Sequence, residues 1–463
     1  MLNRFSKYRP HYRSNLRLAV PVVISQLGYT LVHTADSVIV GHFAGNGPEP
    51  LAAVSLVNSV ITIILMVGIG ISYGLTPLVA QESGRKNPEE PGRLLINSLV
   101  INIATGIFLF LVAWLGMLLL IDHLDQAPGV VILAKPYLFL LGISLVPLMI
   151  FMTFKQFAEG LGYTKQAMQV SIWGNVFNVL LGITFVKGLF GIAPMGVNGV
   201  GWSTLIERIL MAVVMGAYIF RSKHFTQALQ SFTRAGLSWL RSVQILKIGA
   251  PVAMQYVFEV SAFSGAAIMI GSIGPTEQAA HLVAINMAAI TYMMAGGVSA
   301  AASIKTGNNY GAKDYTQLRL SAISSYHIVL IFMSCTALLF IVLNRYLPWI
   351  YTSEKPIIAI ASQLLLVAAL FQLFDGAQVV GLGILRGIGD VNIPTFITFV
   401  AYWLVGIPVG YLLGLKLELG VLGVWAGLCL GLLVSGGLLF LRFQKMSKDL
   451  LPVQAAPGQG IPG

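Results

Sequence analysis

The sequence predicts an all-α integral membrane protein: twelve transmembrane helices in two pseudo-symmetric six-helix lobes around a central cavity. Three observations carry this. Of 463 residues, 56% are apolar and 10% charged, and apolar runs of about 20 residues, enough to span a bilayer as a helix, recur along the chain. Basic residues collect in alternate connectors, as in membrane proteins whose cytoplasmic loops are rich in Lys and Arg. The chain also repeats itself. Pro21 aligns with Pro251 and Gly41 with Gly271, both at an offset of 230.

The spans read as 18–43, 51–80, 94–121, 133–154, 166–187, 197–220, 248–273, 278–303, 319–343, 357–382, 394–415 and 419–441. The basic N-terminus, MLNRFSKYRPHYRSNLR, leads into the first span without a signal-peptide cleavage site. Of the 28 Lys and Arg, 22 fall in connectors on one side and 5 on the other, with Arg208 inside a span. Both termini are therefore expected in the cytoplasm. This bias also accounts for the net charge of +11 without invoking nucleic acid.

The repeat extends beyond the first span of each copy. GISYGLTPLVAQESGRKN at 70–87 parallels GVSAAASIKTGNNYGAKD at 297–314, placing Gly84 over Gly311, and GVNGVGW at 196–202 parallels GVLGVWA at 420–426. Six spans per copy is an even number, so both copies enter the membrane the same way round and are related by an axis along its normal. The expected division is a first lobe over 1–220, a basic connector over 221–247, a second lobe over 248–445 and a flexible tail over 446–463. Pro21, Pro147, Pro251, Pro394 and Pro408 are candidate kinks. Cys335 and Cys429 lie inside apolar spans, so no disulfide framework is expected.

Most of the 17 acidic residues lie in connectors; Asp36, Glu207, Glu259 and Asp375 lie in spans. Glu259 is 12 positions past Lys247, which is about 18 Å along a helix. Asp375 is 11 positions before Arg386, about 16 Å along a helix. The two acids of the seventh and tenth spans thus reach a similar depth. Two carboxylates sharing a low-dielectric site are not both ionised cheaply, so the pair should take a proton or bind a small cation. Gln255, Tyr256, Glu259 and Phe263 share one helix face, as do Phe371, Gln372, Asp375 and Gln378. Polar glue between packed helices is the competing explanation for such stripes, but an ionisable group is an expensive glue.

In the first half, Gln26, Tyr29, His33 and Asp36 form a similar stripe. Asp36 is 19 positions from Arg17, about 28 Å along a helix, and so nearer the outer side. Asn175 and Asn178 share a face of the fifth span and are placed to meet it. Glu207 and Arg208 are neighbours and point apart on a helix, so each needs a partner elsewhere. A structural ion pair and a cavity role both stand for them.

The chain has no GxxxxGK[ST] phosphate loop, no HExxH, no Cys/His cluster at zinc spacing and no GxSxG. ATP-driven transport, zinc chemistry and nucleophilic catalysis therefore have no sequence support, and the chain is not expected to be an enzyme.

With the duplicated six-span unit, EGLGYTKQAM, NNYGAKD, FQLFDGAQVVGLGILRGIGD and GVNGVGW, the sequence resembles the multidrug and toxic compound extrusion (MATE) family, NorM-like branch, from Leu16 to Arg442. The resemblance implies a multi-pass transporter of the bacterial inner membrane. It would exchange cationic or amphiphilic drugs for Na⁺ or H⁺ by alternating access, as a monomer in the lipid bilayer and without a cofactor. It matches Glu259 and Asp375 to a second-lobe cation site, to which Gln255 and Gln378, from the same helix faces, are expected to contribute. Asp36, Asn175 and Asn178 match a first-lobe cation or proton site. Met254, Tyr256, Phe263, Phe371, Gln372, Tyr29 and Gln26 are expected to line the substrate cavity, where aromatic and Met side chains suit flat cations. One departure is Phe371, where the family pattern often carries a tyrosine that would add an oxygen ligand. The alternative function is flipping of a lipid-linked precursor within the same superfamily, which calls for a cationic cavity; here the buried charges are mainly acidic.

Overall fold

The computed structural model describes residues 7–44, 47–120 and 127–451, with the side chains of His33 and Leu120 outside the described set. Twelve helices in it are long and apolar enough to cross a membrane: α1 (Arg9–Phe43), α2 (Glu49–Gly84), α3 (Glu90–Leu119), α4 (Pro128–Gly160), α5 (Thr164–Lys187), α6 (Val197–Arg221), α7 (Trp239–Gly271), α8 (Pro275–Gly311), α9 (Tyr315–Leu343), α10 (Lys355–Ile388), α11 (Asn392–Lys416) and α12 (Gly420–Leu450). With an even number of crossings, Lys7, Leu451 and the link between α6 and α7 share one side, here termed the connector face.

Several helices outrun their predicted spans at that face. α8 runs to Gly311 rather than 303, and α1 begins at Arg9 rather than 18. The extra turns carry Lys305, Asn308 and Asn309, or Arg9, Arg13 and Arg17. Hydropathy marks only the apolar part of a helix, whereas backbone hydrogen bonding continues into the polar zone. The same effect corrects two expected boundaries. The stretch at 239–247 belongs to α7 rather than to the connector, and α12 continues to Leu450, into the expected tail. The rest of that tail, from residue 452, lies outside the described residues.

The connector consists of short turns at Lys223–Phe225, Thr226–Leu229 and Arg234–Gly236. It is tied to the start of α3. Asn97 Nδ2 donates to the Gly236 carbonyl at 2.9 Å, and just beyond the connector Arg241, in the first turn of α7, donates to Glu90 at 2.5 and 3.1 Å.

The repeat is visible as reciprocal packing. Gly84 of α2 packs on the backbone of Asn308 in α8, and its counterpart Gly311 packs on Gln81. Gly70 packs on Ala253 of α7, and Gly297 packs on Val23 of α1. A Cβ at any of these glycines would collide with backbone. Such close approach is what holds helices together where lipid offers no hydrophobic drive between them. These seams lie in the connector-face halves of the helices. There, α1 also leans on the second half of the chain: Asn15 Nδ2 donates to Ser324 Oγ at 2.8 Å and Ser325 Oγ at 2.9 Å.

Proline marks are uneven. Pro21 and Pro251 sit inside continuous helices. Pro147 follows a break in α4 at Ser144, and Pro408 follows a π-helical stretch at Val400–Gly406 in α11. Pro394 lies in the first turn of α11, where a missing N–H breaks no helical bond, so it produces no kink. Cys335 and Cys429 are both free thiols.

Candidate functional site

The second-half acids meet. Glu259 on α7 and Asp375 on α10 are 7% and 3% exposed, and they lie within electrostatic reach of each other. Two tyrosines close over them. Tyr292 of α8 faces Glu259. Tyr402 of α11 is fully buried beside both acids and accepts from Gln378 Nε2 at 2.9 Å. Tyr402 comes from the π-helical stretch of α11, a distortion that often re-aims side chains at functional sites. The Gln378 Oε1 atom is buried with no hydrogen-bond partner. The groups gathered here, two carboxylates and two phenols, offer only oxygen, the donor type that suits a hard cation.

The other predicted residues of this half are placed differently. Gln255 is turned to α11, where its Nε2 donates to Thr395 Oγ1 at 2.9 Å and to the Val391 carbonyl at 3.4 Å. Phe371 and Gln372 are enclosed, at 3% and 0% exposure, rather than lining a cavity. Phe371 packs against Phe263 and Trp425, with ring centroids 6.0 and 5.5 Å away, and Gln372 accepts from Thr336 Oγ1 at 3.0 Å. The lobe interior claims them because α9 and α12 cover that flank of α10. Phe263 is partly exposed and Met254 exposed. Tyr256 stacks on Tyr73 of α2, centroids 6.3 Å apart, and the Arg386 guanidinium sits 4.5 Å from the Tyr73 ring centroid. Tyr256 thus belongs to the seam between the halves, as does Gln26, which packs against Gly296 of α8.

In the first half, Asp36 is 4% exposed, and its through-space partners are Glu207 and Arg208 of α6. Helix spacing places both amides to meet Asp36. Instead, Asn178 Nδ2 donates to Glu207 Oε2 at 2.9 Å and Thr204 Oγ1 at 3.2 Å, while Asn175 packs against Gly28 of α1. The reason is α6, whose Glu207 stands next to α5 and takes the amide. Arg208 Nη1 donates to Ser144 Oγ at 2.7 Å, at the break in α4, and also lies against Tyr29. The side chain of His33 lies outside the described residues.

Sequence reasoning missed Tyr292, Tyr402, Tyr73 and Arg386. Tyrosine is common in membrane helices, so residue type alone does not single out the two that reach the acids. Arg386 looks like an ordinary charge at a helix end. The adjacency of Glu207 and Arg208 tells that each needs a partner elsewhere; that the partners are Asn178 and Ser144 is not legible in the sequence.

Comparison with known proteins adds independent observations. The MatE family model matches residues 21–184 and again 251–412, two copies in the register of the repeat. The multidrug resistance protein NorM of Photobacterium profundum is 33% identical over 452 residues, covering 94% of this chain and 96% of that protein. The probable multidrug resistance protein NorM of Agrobacterium fabrum is 30% identical over 444 residues, covering 95% and 94%. A solved outward-facing multidrug resistance MATE family transporter of the MOP superfamily superposes with a TM-score of 0.87 over 96% of this chain and 97% of that one, at 21% identity. That last likeness is one of fold.

Proposed function

The chain belongs to the MatE family, and from that premise we propose that it is a bacterial inner-membrane multidrug exporter. It exchanges cationic or amphiphilic drugs for Na⁺ or H⁺ by alternating access. The observation that carries this reading is the buried pair Glu259 and Asp375, held on separate helices under Tyr292 and Tyr402.

Two negative charges within the bilayer are costly without compensation. A proton or Na⁺ balances them, and so does a cationic drug. If the two ligands need the same carboxylates, they exclude each other and exchange becomes obligatory. Each ligand then shifts the lobe arrangement by its difference in affinity for the two arrangements. The seams of α1 on α8 and α2 on α7 supply the closed end of one arrangement, on the connector face. Partly exposed Phe263 and exposed Met254 offer dispersion and cation–π contacts to flat cations. The division into two lobes, a cytoplasmic connector face and a monomeric state belong to the same proposal.

The test is efflux of a fluorescent cation from proteoliposomes under a Na⁺ or a pH gradient. Efflux driven by either, and lost in Glu259→Gln, supports exchange. Gradient-independent movement of a lipid-linked phosphate, with no drug efflux, replaces this reading with the flippase.

A further inference from the structure

The face opposite the connector carries few positive charges. Of the five Lys and Arg expected there, two meet in one place: Arg345, just past α9, and Lys355, which opens α10. Both are exposed, and neither makes an ion pair among the described residues. They line a groove of about 430 Å³ between the end of α9, the Leu347–Ile350 turn and the first turns of α10. Trp349, Ile358 and Leu366 form its apolar wall. No acidic side chain among the described residues lines it, not even Glu354 beside Lys355.

The groove faces away from the buried acids. Leu366 lies nine positions before Asp375, two and a half turns of helix, and so on the opposite side of α10. Ala359, Gln363, Leu366 and Leu370 form one exposed stripe there. Beside it, Tyr346, Trp349 and Tyr351 are 70%, 53% and 45% exposed, and such side chains settle at the level of lipid headgroups. Lys355 is 11 positions before Leu366, about 16 Å along a helix. The groove thus runs from two unbalanced positive charges at headgroup level to an apolar wall at acyl-chain level. That polarity fits a phospholipid with a net negative headgroup. Its phosphate oxygens accept from the guanidinium and the ammonium, and its chain covers the wall. A soluble anion gains nothing from the wall, and a zwitterionic headgroup brings its own cation to two others. We propose that this groove binds one anionic phospholipid, with its phosphate between Arg345 and Lys355 and an acyl chain along Ile358 and Leu366.

Lipid binding here is independent of the exchange of drugs for cations, and it is measured without transport. The full-length protein in neutral detergent is offered equal amounts of phosphatidylglycerol and phosphatidylcholine with the same chains. Native mass spectrometry then reads which lipid is bound first. The wild-type protein should prefer phosphatidylglycerol. A basic residue near the surface contributes about 5-fold to such binding, so Arg345→Gln and Lys355→Gln should each cut the preference about 5-fold, and both together about 25-fold. Both side chains are exposed and free of ion pairs, so their loss leaves the packing of α9 and α10 intact. Ala359→Trp fills the groove without touching either charge and should also remove the preference, which mere attraction between charges would survive. Lys416→Gln, at an exposed lysine on the same face, should leave it unchanged. A preference that persists in the double variant, or in Ala359→Trp, overturns the proposal, as does an equal loss in Lys416→Gln. Inorganic phosphate that displaces the lipid as well as free phosphatidylglycerol does would give the groove to a soluble anion instead.

Discussion

Neutralising either acid of the second half is expected to abolish coupled efflux, and neutralising both is expected to do little more. Glu259→Gln and Asp375→Asn keep the shape of each side chain, so the helices stay packed. What changes is charge. At an effective dielectric of about 20, a carboxylate and a cation about 4 Å apart attract by about 4 kcal/mol. Easier burial of the remaining groups offsets part of this, and a net loss of about 3 kcal/mol corresponds to more than 100-fold weaker cation binding. Once one acid is neutral the site no longer exchanges drug for cation, so loss of the second has little left to remove. The double variant should lie within about 3-fold of the single ones, whereas independent sites would multiply their losses. The assay is efflux of a fluorescent cation from proteoliposomes, with size-exclusion profiles confirming folded protein. Single variants with normal efflux, or multiplicative losses in the double, refute a shared site.

Other consequences are more local. Tyr402→Phe removes the hydroxyl that accepts from Gln378. If the same oxygen also contacts the bound cation, loss of a contact worth about 1–3 kcal/mol raises the cation concentration for half-maximal efflux at least several-fold; an unchanged value shows that the phenol is not part of the site. Asp36→Asn should weaken drug-stimulated cation movement while leaving ²²Na⁺ or proton binding at Glu259 and Asp375; unchanged transport makes Asp36 structural. For orientation, Ala235→Cys in a background lacking Cys335 and Cys429 places a thiol on an exposed connector residue. It should resist an impermeant maleimide in intact cells, and strong labelling from outside inverts the topology.

Sequence by itself determined the class of protein, the number of spans, the repeat and the two acids of the second half. These signals are one-dimensional. A span is a contiguous apolar run, the repeat is a fixed offset, and a carboxylate inside an apolar run is visible wherever it occurs. Depth also follows from counting, because helix rise is constant. What tertiary structure decided is which neighbours each acid has. Tyr292 and Tyr402 reach Glu259 and Asp375 from helices whose rotation is set by packing, in one case by a π-helical stretch. Asn178 shares a helix face with Asn175, yet its amide nitrogen goes to Glu207 of α6. Phe371 and Gln372 sit on the stripe of Asp375, but α9 and α12 cover them. Helical periodicity tells which residues share a face; only the arrangement of neighbouring helices tells whether that face meets a cavity, the other half of the chain or the lobe interior.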